Sequence, residues 1–136
     1  MKRPINKNTL TLQQPSVVAT PADRQVVTDL LDTLVAHQAE AVGLAANMIS
    51  QNKRIIALFI GPLPVAMINP TITAKSGPYQ TTEGCLSLAG QRQTTRYQQI
   101  TVTYQTTAFA SQHQTFTDFI AQIIQHELDH CNGILI

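Results

Sequence analysis

The stretch from Asp118 to Asn132 constrains the fold of this chain more than any other. Wound at about 100° per residue, it places Phe119, Ile123, His126 and His130 on one side. Ile120, Ile124, Leu128 and Cys131 fall on a neighbouring side, and only Asp118, Gln122, Gln125 and Asp129 form a polar strip. A helix apolar over so much of its circumference has to be central and mostly buried. Thr117 suits its N-cap and Gly133 its stop. The same helix carries Gln125-His126-Glu127-Leu128-Asp129-His130, an H-E-x-x-H string. Two imidazoles four residues apart stand one above the other and can grip one divalent ion, while the glutamate between them can take a proton from a water held there. Two buried imidazoles beside a buried carboxylate are costly without a metal or dense hydrogen bonding. Burial and motif together therefore favour a metal centre over a solvated histidine pair.

The chain has 136 residues, 43% of them hydrophobic, which fits one domain spanning 1–136. Its apolar runs are far shorter than the roughly 20 residues that cross a bilayer, and Met1-Lys2-Arg3-Pro4-Ile5-Asn6 lacks a signal-peptide segment. A cytoplasmic protein with no membrane partner is the expectation. Lys and Arg are scattered and the net charge is +1, so direct nucleic-acid binding is not expected. From Thr20 to about Gln38 a helix is expected, capped by Thr20 and opened by Pro21, with Val27, Leu30, Leu31, Leu34 and Val35 forming an apolar stripe. Arg54–Ile60 and Leu63–Ile68 read as strands joined tightly through Gly61-Pro62, and Ile100–Tyr104 alternates with the period of a half-buried strand. Asn69-Pro70 and Ser76-Gly77-Pro78 read as punctuation between elements.

A catalytic metal usually takes three protein ligands and keeps one position open, so two histidines leave one ligand to find. The best candidate is Cys85, in Glu83-Gly84-Cys85-Leu86-Ser87, where a cation would drive the thiol to thiolate. Cys131 lies about 100° round the helix from His130, on the apolar side, and reads as a small core residue.

Three ordered segments carry a resemblance. Val42-Gly43-Leu44-Ala45-Ala46-Asn47-Met48, Glu83-Gly84-Cys85-Leu86-Ser87 and Gln125-His126-Glu127-Leu128-Asp129-His130 resemble the three motifs of the peptide deformylase family. Met67-Ile68-Asn69-Pro70 and the stretch from Arg92 to Arg96 are also similar to family members, so the likeness covers most of the chain from about residue 20. The resemblance implies an α+β fold of antiparallel strands around a central helix bearing the histidine motif. It implies Cys85, His126 and His130 as metal ligands and Glu127 as general acid and base. The implied metal is Fe2+, with Zn2+, Ni2+ or Co2+ able to replace it. The implied reaction is hydrolysis of the N-formyl group of nascent N-formylmethionyl peptides in bacteria, releasing formate, in a setting near the ribosome exit tunnel. The backbone N–H of Leu86 is the implied first oxyanion donor.

The family's second oxyanion donor is a glutamine, and here that position holds Met48, which cannot donate. Asn47 stands where many members have proline, and Ala41 where the motif often begins with glycine. Met48 admits a slow enzyme, a paralogue of altered preference, or a weak or inactive metal-binding paralogue with a binding role; a general metallopeptidase fits less well than a deformylase. Asn47 replaces the lost donor only if the segment is shifted by one, which an extended chain disfavours because neighbours point to opposite sides. Ile123 and Ile124 are candidates for a methionine pocket, and Glu83 and Asp129 for orienting the ligands. Arg92 and Arg96 suit either peptide binding or solvated surface. Ile134-Leu135-Ile136 reads as a final strand fragment, or as part of a dimer surface, so that monomer and homodimer both remain open.

Overall fold

The computed structural model describes residues 1–85 and 87–136. After a short helix α1 (Thr9–Leu12), a 3-10 turn over Pro21–Asp23 leads into α2 (Arg24–Ala36). The Asp23 carboxylate accepts the Thr20 backbone N–H at 2.9 Å, which fixes the entry to α2. Five strands follow: β1 (Gly43–Ala45), β2 (Ile55–Ile60), β3 (Leu63–Cys85), β4 (Leu88–Gln105) and β5 (Ser111–Thr117), and α3 (Asp118–Cys131) closes the chain. The strands form one sheet in sequence order, every pair antiparallel.

Hairpins build this order because each strand pairs with the next. Ile60 pairs with Leu63 across Gly61-Pro62, the tight connection expected. Strand β2 is buried on both faces, since the consecutive residues Ile55, Ile56, Ala57 and Leu58 are all fully covered, and both α2 and α3 pack on it. Helix α3 also contacts β1, β4 and β5, so the sheet surrounds it. Residues Ala121, Ile123 to Leu128, His130 and Cys131 are buried, which bears out a central helix. Gly133 (φ +75) ends it: the Gly133 N–H donates to the His130 carbonyl at 3.0 Å and Ile134 N–H to Asp129 at 2.9 Å.

Several local expectations are corrected. Asn69-Pro70 and Ser76-Gly77-Pro78 do not interrupt the chain; β3 runs through both, bulging between Ile68 and Thr71 and again between Ile72 and Ala74. Asn69 holds φ +52 because its side chain exchanges two hydrogen bonds with Ala19, at 2.8 and 2.9 Å, and donates to Gln105. Residues 134–136 form no strand, although Ile136 is buried. Phe119 is 58% exposed, whereas Gln125 is buried, its amide bridging the backbone N–H and carbonyl of Tyr97 at 2.8 Å each. None of the described helices is long and apolar enough to cross a membrane.

Candidate metal centre

Two elements, β3 and α3, bring the predicted ligands to one point. Cys85 ends β3, and His126 and His130 stand one turn apart on α3 with ring centroids 5.1 Å apart. One ligand atom from each lies within 4.8 Å of the other two, and Cys85 Sγ sits 3.3 Å from His130 Nε2. A tetrahedral ion held by sulfur and nitrogen needs donor separations of roughly 3.3 to 3.8 Å, so the set fits one small cation. The Ser87 N–H donates to Cys85 Sγ at 3.4 Å, which orients the sulfur. Two buried polar atoms of this group, Glu127 Oε1 and His130 Nδ1, have no hydrogen-bond partner among the described residues. Such orphans are expensive unless an ion, water or substrate completes them.

The ring of His126 is oriented from β3. Its Nδ1 lies 2.8 Å from Glu83 Oε1, and since an ionised carboxylate only accepts, Nδ1 carries the hydrogen and Nε2 is left for the metal. Glu83 is in turn gripped by Arg96, whose Nε and Nη2 donate to Oε2 and Oε1 at 3.0 and 2.7 Å, while Arg96 Nη1 donates to Asp129 at 2.7 Å. Gln122 Nε2 adds a fourth donor at 2.9 Å. Arg96 is therefore neither a surface charge nor a peptide contact: it is 4% exposed and locks β3 and β4 to α3. Glu83 touches the His126 ring directly, whereas Asp129 is joined to Glu83 only through Arg96. Burial alone would push the Glu83 carboxyl up, but His126, Arg96 and Gln122 hold it down to about 2.

Burial raises the Glu127 carboxyl to about 7, partly opposed by the charge on His126. Burial acts to lower His126, yet the negative charges of Glu127, Cys85 and Glu83 outweigh it and carry the ring to about 10. Burial and the neighbouring His126 charge depress His130 to about 3. Cys131, as expected, is a core thiol: it is fully buried, and burial pushes it up to about 12.

A cleft of about 420 Å³ opens above the group. His126, Glu127, Cys85 and Glu83 line its floor, and Val42, Gly43, Met48, Phe119, Gln122 and Ile123 are among its walls. Ile123 is thus available to a ligand, whereas Ile124 is fully buried core. Gly43 lets β1 approach α3: a Cβ there would meet Ile123 Cγ2 at 2.7 Å and Glu127 Oε2 at 3.0 Å. Met48 lines the cleft, as its motif position requires, and its Sδ faces the Ala45 N–H at 3.4 Å. Residues Ala46–Ile49 form a 3-10 turn rather than an extended segment. There Asn47 is buried outside the cleft lining and donates its Nδ2 to the His130 carbonyl at 2.8 Å, on the metal helix. Ala41 does not have a positive φ, so alanine is tolerated in place of glycine. Leu86, the expected oxyanion donor, lies outside the described residues.

Sequence reasoning missed the burial of Arg96 and the presence of Gln122 in the cleft. A signal existed for Arg96. Carrying the period of two back from Tyr104, Val102 and Ile100, all buried, puts Arg96 on the same inward parity.

The profile of the family described as Polypeptide deformylase matches residues 4–136. A peptide deformylase of Clostridium beijerinckii is 52% identical over 136 residues, covering 100% of each chain. Peptide deformylase 2 of Nostoc sp. is 36% identical over 139 residues, 92% of this chain and 78% of that one. Among solved structures, a Met-Ala-Ser-bound class I type b peptide deformylase from Acinetobacter baumannii superposes with a TM-score of 0.88 at 28% identity, over 99% of this chain and 97% of that one. A peptide deformylase from Thermotoga maritima gives a TM-score of 0.89 at 27% identity, over 99% and 95%.

Proposed function

The chain belongs to the peptide deformylase family, and from that premise we propose how its own residues perform the reaction. It is a metal-dependent hydrolase that removes the N-formyl group from N-formylmethionyl peptides and releases formate. The observation that carries the assignment of roles is the convergence of Cys85, His126 and His130 beside the buried carboxylate of Glu127, whose Oε1 has no partner among the described residues, at the floor of a cleft.

Cys85, His126 and His130 hold the metal. When bound, that ion supplies Lewis acidity, polarising the formyl carbonyl and easing deprotonation of the attacking water. Glu127 accepts a proton from that water as its oxygen bonds to the formyl carbon. As the carbon–nitrogen bond breaks, Glu127 returns the proton to the leaving amine, which departs as the free peptide N-terminus. Burial favours the protonated form of this carboxyl and so eases its uptake of the proton. Glu83, fixed by Arg96, keeps the His126 ring in one tautomer and orientation. Val42, Phe119 and Ile123 give the methionine side chain an apolar wall. The backbone N–H of Leu86 serves the developing oxyanion, and Met48 contributes a polarisable surface but no donor.

Fe2+ is the proposed metal, by family resemblance, and the Cys-His-His set also accommodates Zn2+, Ni2+ or Co2+. The proposed setting is the cytoplasm, acting on nascent peptides near the ribosome exit tunnel, as a monomer or homodimer. The direct test is formate release from formyl-Met-Ala-Ser by metal-loaded protein, with Glu127→Ala alongside. Turnover that vanishes in the variant supports the roles above; equal turnover in both would refute the role of Glu127.

A further inference from the structure

Gln122 lies in the cleft wall together with Phe119, Ile123 and His126 of α3 and Thr82 and Glu83 of β3. One turn before His126, it occupies the same helical face, about 5 to 6 Å along the wall from the imidazole. Both ends of its amide are held. Nε2 donates to Glu83 Oε2 at 2.9 Å, and the Tyr79 hydroxyl donates to Oε1 at 3.4 Å. These two tethers assign nitrogen and oxygen and stop the amide from flipping.

A primary amide has two N–H groups. Only one of those on Gln122 is engaged by Glu83; the other has no partner among the described residues, and the side chain is half-exposed beside the cleft. A wall made only to receive hydrocarbon needs no such group. When a peptide fills the cleft and expels water, an unmatched N–H is a penalty, and an acceptor on the ligand removes it.

Resting on the deformylase reading, we infer that Gln122 is a specificity-determining residue that donates its free N–H to an acceptor on the first side chain of the peptide. It extends the range of the cleft from formylmethionyl peptides to those whose formylmethionine is oxidised to the sulfoxide. A thioether sulfur is a weak acceptor, whereas oxidation makes the same side chain polar and gives it an oxygen that an apolar wall would reject. Norleucine, of the same length, has no acceptor. The chemistry at the formyl group is unchanged, so the effect is confined to recognition.

The test compares kcat/KM for formyl-Met-Ala-Ser and its norleucine and methionine sulfoxide analogues, using the wild type, Gln122→Met and Gln122→Leu. Gln122→Met keeps an unbranched side chain of similar length without the donor, and Gln122→Leu guards against a folding failure of the first. The three deformylated peptides are also titrated calorimetrically, a readout independent of turnover. The sulfoxide-to-norleucine ratio should fall roughly tenfold or more in both variants, with a matching shift in the ratio of Kd values. Losing the tether to Glu83 would lower all three substrates together and leave that ratio alone. An unchanged ratio in a folded variant overturns the inference, as does a wild type that takes the sulfoxide a hundredfold less well than norleucine. Absence of Glu127-dependent formate release from formyl-Met-Ala-Ser would instead bring down the deformylase reading.

Discussion

Replacing Gly43 by alanine tests how closely β1 and the catalytic helix are fitted. The added methyl carbon would stand 2.7 Å from Ile123 Cγ2, 3.0 Å from Glu127 Oε2 and 3.2 Å from the Ala57 carbonyl oxygen. Van der Waals contact for carbon begins near 3.5 Å, so at least one neighbour has to move. The Ala57 carbonyl belongs to β2, which pairs with β1 at Gly43↔Leu58 and is buried on both faces. Ile123 and Glu127 are both buried, but Glu127 Oε1 has no hydrogen bond to hold it among the described residues, and that leaves Glu127 as the group most able to yield. Overpacking of this kind costs about 1 to 3 kcal/mol, and each kcal/mol lowers the Tm of a chain this size by about 4 °C. Misplacing a catalytic group by about 1 Å costs on the order of 100-fold in rate. Thermal unfolding of metal-loaded Gly43→Ala should therefore show a Tm lower by several degrees, and formate release should fall about 100-fold in kcat with a smaller change in KM. Wild-type Tm and kcat together would refute the packing argument.

Other perturbations separate the remaining roles. Glu83→Gln weakens the acceptor of the His126 Nδ1 hydrogen, and metal affinity measured by chelator competition should fall about 10- to 100-fold; unchanged affinity would remove Glu83 from the orienting role. Asn47→Ala should lower stability by about 1 to 2 kcal/mol, through the lost bond to the His130 carbonyl, while leaving kcat within a few-fold. A kcat loss of about 100-fold or more, at full metal occupancy, would revive Asn47 as an oxyanion donor. Far from the site, the Asp29 carboxyl is held down to about 2 by the Met1 ammonium, Gln25 and Arg3, against the opposing effect of burial. Because its folded value lies below the usual carboxylate value, its stabilisation is present above about pH 4 and lost as pH falls toward 2. The stability difference between wild type and Asp29→Asn should shrink over that window, and a constant difference would contradict it.

What could be read in advance was local or periodic. Helix α3 announced its burial through its own apolar circumference, and the H-E-x-x-H string placed two ligands on one face without help from the rest of the chain. The course of β3 was not legible in the same way. Asn69-Pro70 and Gly77-Pro78 are turn signals by propensity, but pairing with β4 along nearly the whole strand overrides them, and Asn69 is held by Ala19, fifty residues away in sequence. Arg96 was misread for a related reason. Its partners Glu83 and Asp129 are 13 and 33 residues distant, and only the folded sheet brings them together. Asn47 likewise meets His130 across 83 residues, a contact that no spacing rule anticipates. Gln122 was placed only on a polar strip, because helical periodicity cannot distinguish open solvent from the mouth of a cleft.

The central claim is that one metal held by Cys85, His126 and His130, with Glu127 as its proton carrier, deformylates peptides. It is tested most directly by measuring formate release from formyl-Met-Ala-Ser while Fe2+ is titrated anaerobically into metal-free protein. The rate should rise in proportion to bound metal and saturate at about one ion per chain, and Glu127→Ala should bind the same ion yet release no formate above background. A wild type that binds its metal at that stoichiometry without turning over the peptide would contradict the account.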